Sequence, residues 1–168
     1  LEKNVLDSTF DLLIKNIKSH TQVFVHRDFH SRNLMFCNGD LGENPGILDF
    51  QDAVKGSIAY DLVSLFKDAY IVWSEEEVID WLIRYWEHAK QNKLKVQDDF
   101  AEFYRDFEWM GVQRHLKVLG IFARLNFRDH KAKYLNDLPA VENYLRRACE
   151  RYKDLHPLLK LMNKLSST

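Results

Sequence analysis

The sequence predicts an α+β fold that is mostly helix, and three observations predict it. Chain breakers are scarce, with 3 Pro and 6 Gly in 168 residues, and four of those Gly fall between Gly39 and Gly56. Around that cluster lie short β-type runs. Beyond Ala59, apolar residues recur at helical spacing almost to the C-terminus. A hydrophobic content of 46% and an aromatic content of 13% supply enough core to offset ordering entropy, which excludes a largely disordered chain. The length is that of one domain, so residues 1–168 are expected to form a single lobe.

Taken in order, Val5, Leu6, Phe10, Leu13, Ile14 and Ile17 have the spacing of one helix face. Val23-Phe24-Val25 is a short strand by its β-branched and aromatic content. Leu34 to Cys37 and Ile47 to Phe50 are two further short runs. The turn formers from Asn38 to Gly46 join them, so a hairpin is expected. Tyr60, Leu62, Val63, Leu65, Phe66, Ala69 and Tyr70 line a second helix. Ser74-Glu75-Glu76-Glu77 has the pattern of a capping box, and the stripe Val78, Leu82, Tyr85, Trp86, Ala89 continues from it. Phe100 to Phe127 reads as helix with expected interruptions near Gly111 or Gly120. Pro139 and Pro157 stand where first helical turns accept proline.

Charge excludes several functions. Lys plus Arg number 24 against 25 Asp plus Glu, so the net charge of −1 leaves no general footprint for nucleic acid or an anionic membrane. No apolar run approaches the ~20 residues that span a bilayer. Cys37 and Cys149 lie too far apart for a disulfide framework or zinc knuckle and are expected to be reduced thiols, which fits a cytoplasmic protein. His88, His115, His130 and His156 show no ligand-like grouping.

The chemistry concentrates in His26-Arg27-Asp28-Phe29-His30-Ser31-Arg32-Asn33. This segment matches the phosphotransfer loop pattern H-R-D-x-x-x-x-N at all four specified positions. The spacing has a physical reason: one carboxylate accepts or orients the proton of an attacking hydroxyl, and an amide oxygen five residues on reaches a magnesium ion. A second acid, Asp49, follows 21 residues after Asp28 in Asp49-Phe50-Gln51, at the end of a strand, where a hard oxygen ligand suits Mg²⁺. Gln51 replaces the glycine usual in that motif. Only Asp52 to Tyr60 separate it from Asp61, leaving no room for a long peptide-docking loop. A small acceptor is therefore expected. A second reading stays open, in which an extended His26-x-Asp28-x-His30 turns three ligands to one side for a metal-dependent hydrolase.

These residues carry a family resemblance. With Leu34-Met35, Leu48-Asp49-Phe50-Gln51-Asp52-Ala53, Tyr60-Asp61-Leu62-Val63-Ser64-Leu65 and Trp109 to Gly120, the chain resembles the C-terminal, protein-kinase-like lobe of the aminoglycoside phosphotransferase and choline kinase superfamily. Within it, the likeness is greatest to bacterial amino-sugar kinases of cell-wall recycling, which phosphorylate N-acetylmuramate and N-acetylglucosamine at the anomeric hydroxyl. The resemblance implies ATP as co-substrate, Mg²⁺ as cofactor, Asp28 as catalytic base and Asn33 and Asp49 as metal ligands. It implies that Asp61, with His26, braces the loop, and it nominates His30, Arg32 and Arg124 to contact sugar or phosphoryl group. The family's nucleotide-binding N-terminal lobe, with its strand lysine, has no counterpart before the loop. The chain is accordingly expected to be a fragment with little activity alone, and a non-catalytic substrate-binding remnant stays open.

Overall fold

The computed structural model describes residues 2–37 and 44–167. The tip of the expected hairpin, residues 38–43, lies outside them. Element order is α1 (Glu2–Ile17), β1 (Gln22–Val25), a 3-10 turn (Ser31–Asn33), β2 (Leu34–Met35), β3 (Gly46–Ile47), β4 (Val54–Ser57), α2 (Ala59–Phe66), α3 (Glu75–Gln91), α4 (Phe100–Phe127), a 3-10 segment (Ala132–Asp137), α5 (Leu138–Arg151), a 3-10 turn (Lys153–Leu155) and α6 (His156–Ser166). Helix dominates, as expected, and no helix among the described residues is long and apolar enough to cross a membrane.

The chain divides into two compact units, one of residues 20–107 and one of residues 1–19 with 108–168. In the second, Leu13 of α1, Trp109 and Val112 of α4, Leu145, Ala148 and Cys149 of α5, and Leu158 of α6 form the core. Burial pushes the Cys149 thiol up to about 12, because the thiolate would lose its water. His115 stacks on Tyr144 at 5.2 Å, and the Glu108 carboxylate, almost fully buried, accepts from Arg151 Nη1 at 2.7 Å. Pro139 and Pro157 occupy first turns of α5 and α6, as the sequence predicts.

The 20–107 unit holds both sheets, each of two antiparallel strands: β1 with β4, and β2 with β3. The β1–β4 ladder pairs Gln22 with Ser57 and Val25 with Val54. Gly56 belongs there because a Cβ would sit 3.2 Å from Val25 Cγ2. β2 and β3 pair Leu34 with Ile47 and Met35 with Gly46. Both side-chain amide ends of Asn44 bond the Cys37 backbone, at 2.6 and 2.8 Å, extending the pairing beyond Met35. In the same unit, Ala59, Leu62 and Val63 of α2, Val78 and Leu82 of α3, and Phe103 and Phe107 of α4 are buried. The capping box of α3 is complete: Ser74 Oγ accepts from Glu77 N–H at 3.2 Å, and Glu77 Oε2 accepts from Ser74 N–H at 3.0 Å.

One strand has no expectation behind it: Val54 to Ser57 pairs with β1 although only Val54 is strongly β-forming. Three expectations need correction. The run from Ile47 leaves the sheet after Ile47, and Asp49 takes a left-handed φ of 65°, outside the extended region of a regular strand. α2 stops at Phe66 rather than reaching Tyr70, since the Asp68 carboxylate accepts from Tyr70 N–H at 3.1 Å and turns the chain. α4 runs unbroken for 28 residues through Gly111 and Gly120, each a penalty of only about 1 kcal/mol that tertiary packing overrides.

Candidate active site

The loop after β1 is built by α2. Arg27 has φ 78°, a left-handed conformation that costs a non-glycine residue on the order of 1–3 kcal/mol. What holds it is Asp61, in the first turn of α2. Asp61 Oδ2 accepts from His26 N–H at 2.7 Å, and Oδ1 accepts from Arg27 N–H at 3.0 Å. Ser64 Oγ donates to the Arg27 carbonyl at 3.5 Å. Asp68 Oδ2 accepts from both the Ser31 N–H, at 3.2 Å, and the Ser31 hydroxyl, at 2.6 Å. Asp61 and Ser64 stand at i and i+3 on one face of α2, and Asp68 follows just beyond its end, so three polar residues grip the loop at successive points.

Within the loop, the Asp28 carbonyl accepts from His30 N–H at 3.0 Å and from Asn33 Nδ2 at 2.9 Å. That second bond orients the Asn33 amide and leaves Oδ1 uncommitted among the described residues. The half-buried Asp28 carboxylate likewise has no hydrogen-bond partner among them.

Leu48 joins the two halves of the site. Its N–H donates to the Asn33 carbonyl at 2.9 Å, and its carbonyl accepts from His26 Nε2 at 2.8 Å. Since a carbonyl only accepts, Nε2 carries the proton. Asn33 is thereby tied to the residue immediately before Asp49. Asp49 is exposed, and its Oδ1 accepts from Gln51 Nε2 at 2.6 Å, so the glutamine that departs from the usual glycine steadies this carboxylate. Two hard oxygen donors, the Asn33 amide and the Asp49 carboxylate, suit a magnesium ion that keeps waters and phosphate oxygens as its other ligands.

His30 and Arg32 share a neighbour, Tyr70. The Arg32 guanidinium lies 3.4 Å from the centroid of the Tyr70 ring, and His30 meets that ring edge-on at 5.7 Å. Arg124 belongs to the other unit, at an exposed position in the last turn of α4. An apolar cavity of about 450 Å³ lies within the 20–107 unit, lined by Val23, Val25, Phe29, Leu62, Leu65 and Tyr85, with Asp61 and His26 also on its wall. Burial, and then the Asp61 charge, hold the Tyr85 phenol above its ordinary range.

The metal-hydrolase reading of His26, Asp28 and His30 does not survive this geometry. The left-handed turn at Arg27 ends the alternation on which it rested, and His26 Nε2 is spent on Leu48. Among the described residues, no three His, Cys, Asp or Glu side chains gather to hold an ion. Sequence reasoning missed Ser64, Asp68 and Tyr70. A buried serine and a buried aspartate inside an apolar helical stripe were the available signal.

A protein-kinase-like loop, a second acid after the hairpin and an aspartate that braces the loop from the next helix point to the phosphotransferase class. The sequence profile of the phosphotransferase enzyme family matches residues 2–102, and the chain belongs to that family. It is 53% identical over 164 residues to an N-acetylmuramate/N-acetylglucosamine kinase of Neisseria meningitidis, covering 98% of this chain and 48% of that protein. Kinases of the same name from Pseudomonas aeruginosa and Caulobacter vibrioides are 44% and 38% identical, over 92% and 73% of this chain and 45% and 32% of theirs. The chain thus spans about half the length of the curated relatives it matches most fully.

Proposed function

We propose that a protein containing this chain transfers the γ-phosphoryl group of ATP to the anomeric hydroxyl of an N-acetylated amino sugar, N-acetylmuramate or N-acetylglucosamine. The single observation that carries this reading is an Asp28 carboxylate uncommitted among the described residues, in a loop fixed by Asp61 at its start and by Asn33 at its end. In an in-line displacement, Asp28 orients the acceptor hydroxyl and takes its proton as the sugar oxygen attacks phosphorus. Asn33 Oδ1 and the Asp49 carboxylate would hold Mg²⁺. When bound, the ion would supply positive charge against the phosphate oxygens. His26 and Asp61 keep the loop in register, while His30 and Arg32 face the acceptor or the phosphoryl group.

The relatives' names supply the acceptor class. Their greater length leaves room for the lobe that would clamp the nucleotide through a strand lysine, and a soluble ATP-dependent reaction of this kind fits the cytoplasm. Phosphoryl transfer rests on positioning and electrostatics, so these 168 residues alone should show negligible turnover.

The test incubates the 168-residue chain, and a chain of the relatives' full length carrying it, with Mg-ATP and each sugar, and measures sugar phosphate. Product from the longer chain alone is expected. No product from the longer chain with either sugar would overturn the reading, and robust turnover by the 168 residues would overturn the need for a further lobe.

A further inference from the structure

Arg32 stands between the proposed base, Asp28, and the proposed metal ligand, Asn33, and its surroundings are unusual for a surface arginine. The side chain is exposed, yet its guanidinium is laid flat on Tyr70 at 3.4 Å from the ring centroid. No acidic side chain among the described residues pairs with it, whereas other arginines of the protein, such as Arg84, Arg128, Arg146 and Arg151, each have a carboxylate partner within hydrogen-bond range. The platform is itself fixed. Tyr70 N–H donates to Asp68, whose other oxygen holds Ser31, and His30 packs edge-on against the ring. A guanidinium held by an aromatic face loses little further rotamer freedom on binding, and its N–H fork matches a planar carboxylate bidentately.

From this geometry we infer that Arg32, seated on Tyr70, is the acceptor-specificity residue that reads a carboxylate on the sugar. The inference rests on the amino-sugar kinase reading above. Of the two acceptors in the relatives' names, N-acetylmuramate carries a lactyl carboxylate and N-acetylglucosamine does not. Arg32 therefore contributes to binding of the acidic sugar and much less to binding of the neutral one. A transferring phosphate offers the same anionic oxygens, and the two sources separate cleanly: a carboxylate contact changes the ratio between sugars, a phosphoryl contact lowers turnover of both alike.

The test compares wild type, Arg32→Gln and Arg32→Lys in a chain of the relatives' full length. Binding of each sugar is measured by calorimetry, and turnover of each with Mg-ATP is measured separately. For Arg32→Gln, the preference for N-acetylmuramate over N-acetylglucosamine should fall about ten- to a hundredfold in both binding and kcat/KM, the range of a charged hydrogen-bonded pair. Arg32→Lys should be intermediate, because a point charge keeps attraction but loses the fork and the stacking. An unchanged ratio in Arg32→Gln, an equal loss for both sugars, or a wild type that binds neither would overturn the assignment. A shifted binding ratio without turnover of either sugar would uphold the carboxylate subsite and sink the kinase reading instead.

Discussion

Two backbone N–H groups, those of His26 and Arg27, end on the two oxygens of one carboxylate, Asp61. One of them belongs to a residue in left-handed conformation, so the loop has no cheap alternative if the acceptor goes. Asp61→Ala should cost about 1–3 kcal/mol, read as a lower melting temperature, and should lower kcat ten- to a hundredfold with a smaller change in KM for the sugar. Asp61→Asn, which keeps one acceptor, should fall between. Unchanged kcat in Asp61→Ala would remove the bracing role. The two cysteines make a second contrast. Cys149 is buried in the core of its unit and its thiol is pushed up to about 12, while Cys37 is only half-buried. An unfolded thiol titrates near about 8.5. Burying the neutral Cys149 therefore contributes stability fully below that pH and loses it as pH rises toward 12. An aromatic disulfide reagent at pH 8 should count one thiol in the folded protein and two after denaturation, with the melting temperature declining in alkali.

Among the elements, the helices and the local pairing of β2 with β3 were legible, and the pairing of β1 with β4 was not. Val5 to Ile17, the Ser74–Glu77 cap and the prolines of α5 and α6 are local patterns, and local patterns persist wherever packing agrees with them. β4 is different. Val54-Lys55-Gly56-Ser57 has one strong β-former, and it becomes a strand through β1, which lies some thirty residues earlier. Ser64, on α2, and Asp68, beyond its end, reach a loop 37 residues earlier, a contact that local spacing does not announce. The roles proposed for Asp28, Asn33 and Asp49 rest on fixed residue types at fixed spacing, a pattern that is local in the sequence. α4 tests how weak a breaker one glycine is. Gly120 is exposed, interior to the helix, and a Cβ there would meet nothing within 4 Å. Gly120→Ala should therefore stabilise the protein by about 0.5–1 kcal/mol in chemical denaturation. A loss of stability would show that α4 is not continuous there.

For the whole molecule, the proposed catalytic, metal-binding and bracing residues all fall in the 20–107 unit, within the 2–102 stretch that matches the family. Of the nominated residues, Arg124 alone belongs to the other unit, which is built from α1, most of α4, α5 and α6 around its own core. A near-neutral net charge suits the proposed function, in which the ligands are small and selectivity is set locally, by side chains such as Arg32, rather than by a field over the whole surface. In the proposed mechanism Asp28 does the acceptor chemistry, and Asp49, with Asn33, serves the nucleotide's metal. The most direct measurement is steady-state kinetics of Asp28→Asn beside Asp49→Asn, in a chain of the relatives' full length, with Mg-ATP affinity determined separately. Asp28→Asn should lower kcat by two to four orders of magnitude with nucleotide affinity nearly unchanged, while Asp49→Asn should weaken Mg-ATP binding as well. Turnover near wild type in Asp28→Asn would contradict the account.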